Sequence, residues 1–331
     1  LSVSRSCEYL RGGLALRYGT VAACGVIHHD RGTPVLGEYR GGPLPIEELL
    51  QRRSEIEDGS HPSCTDCPYL SERTWSEPSR PVTWLGITHF NYCNIECEYC
   101  WLQWAEYSPR APGAVAEKPY PILPVIRQLI GANLLAHDAV IDWGGGGEPT
   151  IMPDFEPSFE LLHAHGTAQW LHTNAVKIPR CIETARFDRG RLRVLCSVDA
   201  GRARTYREIK KRDHFETVLT NLAAYARAGA HVAAKYIAVE ANSSTQEIDE
   251  FIERVRWIGV KEVLGDLDHR SPDASPKVVD ALGYLWYACR RARIPFQLGS
   301  TGLHHNPESG VDERVALRLG DFANAGGASR F

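Results

Sequence analysis

Cys93, Cys97 and Cys100 lie in the run HFNYCNIECEYCW with C-x3-C-x2-C spacing. Three thiolates this close meet on one metal centre only if the chain loops around it. The count of three is informative, because a structural zinc or a closed iron–sulfur cluster takes four protein ligands. A 4Fe–4S cluster on three thiolates keeps one iron open to a small molecule. The alternative is a zinc loop with its fourth ligand elsewhere, for example His89. A second group, Cys7, Cys24, Cys64 and Cys67, has enough thiolates to close a coordination shell. Pro68 fixes the chain beside the last pair, and Gly19 allows a turn before a short apolar strand over 20–27. A four-cysteine zinc ribbon is the alternative here. Cys181, Cys196 and Cys289 fall in stretches that read as helix, strand and helix, where a cysteine is most often a small buried hydrophobe.

The next feature is the run WGGGGEPT over 143–150. Four glycines let the backbone approach a ligand closely. Glu148 then offers a carboxylate that suits an amino group, and Pro149 ends the loop. By itself such a run is also what a tight strand-to-helix turn looks like.

The elements that must position these residues alternate from residue 80 onward. Strands are expected over 84–90, 139–143, 168–176, 191–200, 231–241, 261–269 and 294–300. Helices are expected over 121–136, 157–166, 213–229, from the Ser244/Glu247 capping box to Ile258, and over 275–293. This alternation predicts an α/β fold of parallel strands, a partial (β/α)6-type or near-complete β/α barrel. In such folds the reacting groups sit at the carboxyl ends of strands. The cysteine loop, Gly144–Glu148, Thr173 and Asn174, Ser197 and Asp199, and Asp266 and Asp268 all fall at such ends. Residues 1–79 lack this rhythm and read as a small separate module carrying the second cysteine group. The core is expected over 80–302, and 303–331 as a tail or lid.

Composition agrees with a folded domain: 43% of residues are hydrophobic and 24% charged, enough to build a core. The formal charge of -4 argues against binding a phosphate backbone, which calls for basic excess. No apolar run approaches the ~20 residues of a bilayer crossing, and the first residues lack the apolar segment of a signal peptide. A cytoplasmic protein with no membrane or nucleic-acid partner is expected. In that reducing compartment, clustered cysteines hold metal rather than form bridges.

Together the two motifs resemble those of the radical S-adenosylmethionine (SAM) superfamily. Cys93-x3-Cys97-x2-Cys100, with Tyr99 before the last cysteine, matches the cluster motif. Gly146-Gly147-Glu148-Pro149 matches the family's GGEP motif. The resemblance implies that the three cysteines hold a 4Fe–4S cluster whose open iron takes SAM. It implies that Glu148 holds SAM's amino group, with Thr173 and Asn174 among the cofactor-binding residues. It further implies that Ser197 and Asp199 meet the ribose, and that Lys235 to Ile237 meet the adenine or carboxylate. An electron from the cluster, delivered by an external donor such as flavodoxin or ferredoxin, then cleaves SAM to a 5′-deoxyadenosyl radical that abstracts hydrogen. Cys7-x11-Gly19-x4-Cys24 and Cys64-x2-Cys67 resemble a SPASM or twitch module with one auxiliary cluster. Such modules usually follow the radical core, whereas this one precedes it.

Three fates are open to a substrate radical: oxidation by the auxiliary cluster, epimerisation by a returning hydrogen atom, or cross-linking. A four-cysteine module favours oxidation. Cys289 is the candidate hydrogen donor for epimerisation. Peptide-modifying relatives carry a leader-binding segment, for which the first 79 residues offer no room. Asp142, Asp266 and Asp268 suit a cationic, polyhydroxylated small molecule, although pairing with Arg270 or Lys261 is the bland reading. His172 is placed to deprotonate a hydroxyl or to fill the core. The expected enzyme is thus a dehydrogenase of an amino sugar or aminocyclitol. An epimerase, a peptide-modifying enzyme and a metal-binding scaffold are the alternatives.

Overall fold

The computed structural model describes residues 3–25, 32–75, 81–100, 119–144, 147–188, 190–268 and 274–299. The expected tail or lid over 303–331, Gly146 of the glycine loop and Arg270 lie outside the described residues. The chain divides into two compact units, one of residues 1–94 and 102–172, the other of residues 95–101 and 173–331. Among the described residues no helix is long and apolar enough to cross a membrane.

The first unit is built on β2 (Gly13–Leu16), β3 (Thr20–Ala22), β4 (Val35–Glu38), β6 (Val82–Ile87), β7 (Leu135–Trp143) and β8 (Ala168–His172). Their order is β8-β7-β6-β2-β3-β4. β8, β7, β6 and β2 run parallel, and β3 and β4 close the edge antiparallel. A separate antiparallel pair joins β1 (Val3–Ser6) to β5 (Ser71–Thr74). Short α1 (Glu8–Gly12) and longer α2 (Ile46–Glu55) complete the N-terminal part. Because β2 hydrogen-bonds to β6 in parallel, from Gly13 opposite Trp84 to Leu16 opposite Ile87, the expected boundary near residue 79 falls inside this unit.

Side chains on a strand alternate in direction. Leu85, Ile87, Ile141, Trp143 and Leu171 share one face and are buried. That face is met by α4 (Phe155–His165), which packs beside α3 (Leu123–Gly131). The Trp143 ring sits edge-on to Phe155 at 4.9 Å, and its indole N–H donates to Gln169 at 2.6 Å. A buried aromatic of this kind needs its polar atom satisfied. The expected helix over 121–136 stops at Gly131. Asn133 turns the chain in the left-handed region, and β7 takes Leu135 onward. The apolar pair Leu134 and Leu135 continues a helical pattern in sequence, but asparagine tolerates the turn conformation that ends it.

The second unit holds four parallel strands, β9 (Leu192–Ser197), β10 (His231–Ala238), β11 (Glu262–Leu267) and β12 (Phe296–Leu298), adjacent in that order. Its helices are α5 (Arg180–Glu183), α6 (Ala203–Lys210), α7 (Phe215–Arg227), α8 (Thr245–Ile258) and α9 (Pro276–Ala292). On α8, Ile248, Phe251, Ile252 and Val255 form the buried face, and Gly259 at φ 82 ends the helix. Ser244 caps α8 by accepting from the Glu247 amide at 3.2 Å. Glu247 does not complete the expected capping box. Its carboxylate is buried and instead accepts from the amides of Gly201 and Arg202 and from the Thr205 hydroxyl, thereby capping α6. The sequence ARTYREIK of α6 is too polar to be anticipated as helix, and this borrowed carboxylate supplies its N-terminal partner.

His89 follows β6 and is fully buried, stacked on Tyr120 at 4.3 Å with Nε2 2.9 Å from the Tyr120 carbonyl oxygen. Burial pushes its pKa from 6.5 down to about 4, so the ring is neutral and serves the core. Between those two values the unfolded chain binds a proton that the folded chain refuses, so stability falls as pH drops through that window. The urea midpoint of the protein is expected to fall between about pH 7.5 and pH 5 by the equivalent of roughly 2 kcal/mol more than that of His89→Gln. Equal drops in the two proteins would exclude this assignment.

Candidate active site and cysteine centres

The glycine loop follows β7, and its described end is pinned to the segment that leads into the three-cysteine loop. The Gly147 amide donates to the Phe90 carbonyl at 2.5 Å, and the Glu148 amide to the Tyr92 carbonyl at 2.7 Å. A Cβ on Gly147 would overlap the Tyr92 carbonyl oxygen, so the close approach requires glycine. Glu148 is 2% exposed, and its Oε1 accepts from the Thr150 amide at 3.1 Å and the Thr150 hydroxyl at 2.6 Å. These bonds orient the carboxylate before any ligand arrives. Pro149 begins a short 3-10 turn to Ile151 that keeps this geometry. Ile87, Phe90, Gly144, Gly147, Pro149 and Met152 line a small apolar recess beside it.

On the other face of the same sheet lie Trp84, Gly86, Asp142, Trp170 and His172. His172 Nε2 stands 3.2 Å from Asp142 Oδ1, and both side chains are partly exposed. Tyr9 of α1 packs edge-on to Trp84 at 5.1 Å and to Tyr69 at 5.8 Å. It lies within electrostatic range of Asp142, Cys24 and Cys7.

The four N-terminal cysteines gather in this unit. Cys7 caps α1, its sulfur accepting from the Leu10 amide at 3.4 Å. Cys24 follows β3, its sulfur 3.8 Å from the Thr33 hydroxyl, and Gly19 makes the preceding turn at φ 69. Cys64 ends a 3-10 turn, and the Cys67 amide donates back to the Cys64 carbonyl. Cys64 lies within electrostatic range of Cys24, Cys7 and Cys67. Burial, then the neighbouring sulfurs, push its pKa up to about 12. Burial likewise raises Cys7, with Cys24 and Cys67 adding to the shift. The shifts keep Cys7 and Cys64 as neutral thiols; ionised together, the four would need a compensating cation.

In the second unit, Tyr99 packs against Ile209, Ile237 and Val239. Its hydroxyl donates to Asp199 Oδ2, and Lys210 Nζ donates both to that hydroxyl and to Asp199 Oδ2, the latter at 2.5 Å. Asp199 Oδ1 accepts from the Ile237 amide at 2.6 Å. Asp199 and Lys210 are buried to 0% and 1% exposure. Burial opposes a charged Lys210, yet Asp199, then Cys97, outweigh it and hold its pKa above the ordinary lysine value. Expected to meet a ribose, the Asp199 carboxylate is therefore committed to three protein donors. Asn242 supports it, donating to the Asp199 and Ile237 carbonyls at 2.8 and 2.9 Å. Lys210 and Asn242, which hold Asp199, do not stand out in the sequence, because a polar helix and a short turn carry them.

Thr173 Oγ1 and Asn174 Oδ1 accept from the Ala175 and Val176 amides and shape the turn after β8. Ser197 ends β9 half-buried, opposite Lys235. Lys235 pairs with fully buried Asp266 at 2.7 Å, so the Asp266 charge is already balanced. Asp268 is half-buried just beyond β11. Cys289 lies on the buried face of α9 at 0% exposure, and burial pushes its thiol up to about 12. A thiol enclosed in that core does not reach a substrate, which corrects its expected place as a hydrogen donor. Cys181 and Cys196 are buried as expected.

Among the described residues, no three His, Cys, Asp or Glu side chains gather tightly enough to ligate a single metal ion. A zinc site takes four ligands within about 2.3 Å of one centre. A cubane takes each thiolate on a different iron and asks for a wider set. The glycine cradle and oriented Glu148 fit an amino-bearing cofactor, and the cysteine donors fit iron.

A family model described as the radical SAM superfamily matches residues 87–255. The fold is similar to that of Streptococcus suis SuiB bound to S-adenosylmethionine, with a TM-score of 0.50 and 15% identity over 81% of this chain and 59% of that one. SuiB bound to precursor peptide SuiA gives a TM-score of 0.50 and 12% identity over 80% of this chain and 57% of that one. The chain thus spans less than two thirds of these structures. No curated protein matches it. Gly147→Ala is expected to weaken SAM binding at least about 100-fold in anaerobic equilibrium dialysis while leaving the far-ultraviolet dichroism unchanged. Unaltered binding would show that the close approach to Tyr92 is dispensable.

Proposed function

The chain belongs to the radical SAM superfamily, and from that premise we propose that it oxidises a secondary alcohol of an amino sugar or aminocyclitol. Cys93, Cys97 and Cys100 would hold the 4Fe–4S cluster, and Glu148, oriented by Thr150, would hold the amino group of SAM. When bound, these groups supply the 5′-deoxyadenosyl radical that removes hydrogen from an unactivated C–H bond. The residues of this chain then decide what becomes of the substrate radical. Loss of one electron and the hydroxyl proton gives a ketone.

The observation that carries this reading is the gathering of Cys7, Cys24, Cys64 and Cys67 beside Tyr9, with Tyr9 in turn beside Asp142. An auxiliary iron–sulfur centre on these cysteines would receive the electron. His172, held by Asp142, is suited to take the proton. Removing that proton matters, because a ketyl radical anion gives up its electron more readily than the neutral radical. Attraction for a cationic substrate would rest on Asp142, since Asp266 is balanced by Lys235. Cytoplasmic reduction by a flavodoxin or ferredoxin belongs to the same proposal. The complex of SuiB with a precursor peptide supports a second reading, in which a peptide is the substrate.

Anaerobically reduced protein given SAM and a panel of aminocyclitols and peptides should release 5′-deoxyadenosine and consume one SAM per ketone formed. Solvent deuterium at carbon in the product would sink oxidation in favour of epimerisation, and turnover of peptides alone would establish the second reading. A Cys64→Ala/Cys67→Ala protein should keep 5′-deoxyadenosine release, lose the ketone, and fall from about eight to four irons per chain. His172→Gln should lower ketone formation by about 10² to 10⁴, with recovery as pH rises and the hydroxyl proton is lost to solvent.

A further inference from the structure

The segment 95–101, which carries Cys97 and Cys100, is fastened to the C-terminal end of α6. The Glu96 amide donates to the Lys210 carbonyl at 3.2 Å, and the Glu98 amide to the Ile209 carbonyl at 2.9 Å. Lys211 terminates the helix in the left-handed conformation, which leaves those last carbonyls open to such donors. The Cys100 amide donates to the Cys97 carbonyl at 3.0 Å, closing the turn between the two cysteines. Tyr99, between them, reaches into the apolar cluster of Ile209, Ile237 and Val239. Its hydroxyl interacts with the Cys97 sulfur as well as with Asp199.

Lys210 completes this arrangement. Its ammonium lies 4.9 Å from the Tyr99 ring centroid, bonds to the Tyr99 hydroxyl and Asp199, and is in electrostatic range of Cys97. Burying both charges costs desolvation that their attraction need not repay, and well-packed apolar residues would often serve the fold as well, so such a pair points to a use beyond stability. Two surface pairs, Arg212 with Glu96 at 2.6 Å and Lys211 with Glu98 at 3.5 Å, hold the same segment from outside but are exposed and screened.

We propose that Lys210 is a positioning residue of the radical cluster: with Asp199 and Tyr99 it fixes the Cys97 arm, and its buried positive charge raises the cluster's reduction potential. Adding an electron makes the cluster and its thiolates more negative. Asp199 offsets part of the field of Lys210, so the effect is read as what removing the cation does: it leaves the buried Asp199 charge unbalanced beside the Cys97 arm, which disfavours the reduced form. Asp199 is thereby a strut for the loop rather than a ribose ligand. The inference rests on the three-cysteine loop holding the cluster, and not on the identity of the substrate.

The test is the midpoint potential of the radical cluster, followed by electron paramagnetic resonance in protein whose auxiliary cysteines are replaced by Cys64→Ala/Cys67→Ala. Lys210→Gln keeps hydrogen bonding to Asp199 and Tyr99 without the charge, Lys210→Met keeps neither, and Lys210→Arg keeps the charge. Both neutral variants should hold about four irons per chain and show a lower potential. The expected ratio of reduced to oxidised cluster at fixed potential falls at least about tenfold, which is about 59 mV for a one-electron couple. Lys210→Arg should stay near the parent. An unchanged potential in an iron-loaded neutral variant overturns the proposal. Failure of both neutral variants to take up iron, with the arginine variant loaded and the melting of the three apoproteins equal, supports it. Loss of iron in all three, with equally lowered apoprotein melting, reduces Lys210 to a fold residue and overturns it.

Discussion

Two main-chain hydrogen bonds, from Gly147 to Phe90 and from Glu148 to Tyr92, set what the first unit is able to do. They draw the end of the β7 loop onto the segment following β6, and only a residue without a side chain survives the approach. Everything local follows from that proximity. Glu148 is carried into a dry setting where Thr150 fixes its carboxylate, and Pro149 stiffens the exit. A charge held in place by amide and hydroxyl donors costs nothing further to organise when its partner arrives. Parallel strands make this possible, since successive strand ends are delivered to the same edge of the sheet.

The second unit solves a related problem with different means. Its loop carries two of the three cysteines and has no regular structure of its own. Two amide donors hang it from the open carbonyls of α6, and Tyr99 sinks a ring into Ile209, Ile237 and Val239. At the centre, Asp199 sits in a left-handed conformation that a short polar side chain tolerates. It spends one oxygen on the Ile237 amide and the other on Lys210 and Tyr99. The helix that supplies Lys210 depends in turn on Glu247, donated by α8 from over 40 residues later in the chain. A loop without secondary structure thus inherits its order from three elements distant in sequence.

These dependencies explain what could be read in advance. Cys93, Cys97, Cys100 and Gly147–Pro149 stand out in the sequence because the chemistry expected of them dictates both residue type and local spacing. The strand and helix alternation is legible because α7, α8 and α9 have strong apolar faces. Lys210, Asn242 and Thr150 are not, since nothing local distinguishes a lysine aimed inward from one in water. The balance of Asp266 by Lys235 depends on β10 lying beside β11, and the enclosure of Cys289 depends on which face of α9 is covered. Residues 1–79 read as a separate body because strands as short as Gly13–Leu16 carry no periodicity. Their place on β6 is fixed by pairing, a long-range property. The same holds for Glu247, whose spacing from Ser244 matches a capping box while its side chain serves another helix.

The union of β2 with β6 has a consequence for biogenesis. The hairpin strands leading to Cys24 and the strand leading to Cys93 are rungs of one ladder, so a cation taken up by the N-terminal cysteines adds its binding energy to that ladder. The proposed auxiliary centre would thereby stiffen the rung from which the other cysteine loop departs. In the proposed two-centre enzyme, filling the first centre would aid maturation of the second, and iron scarcity would be felt as loss of protein as well as of turnover.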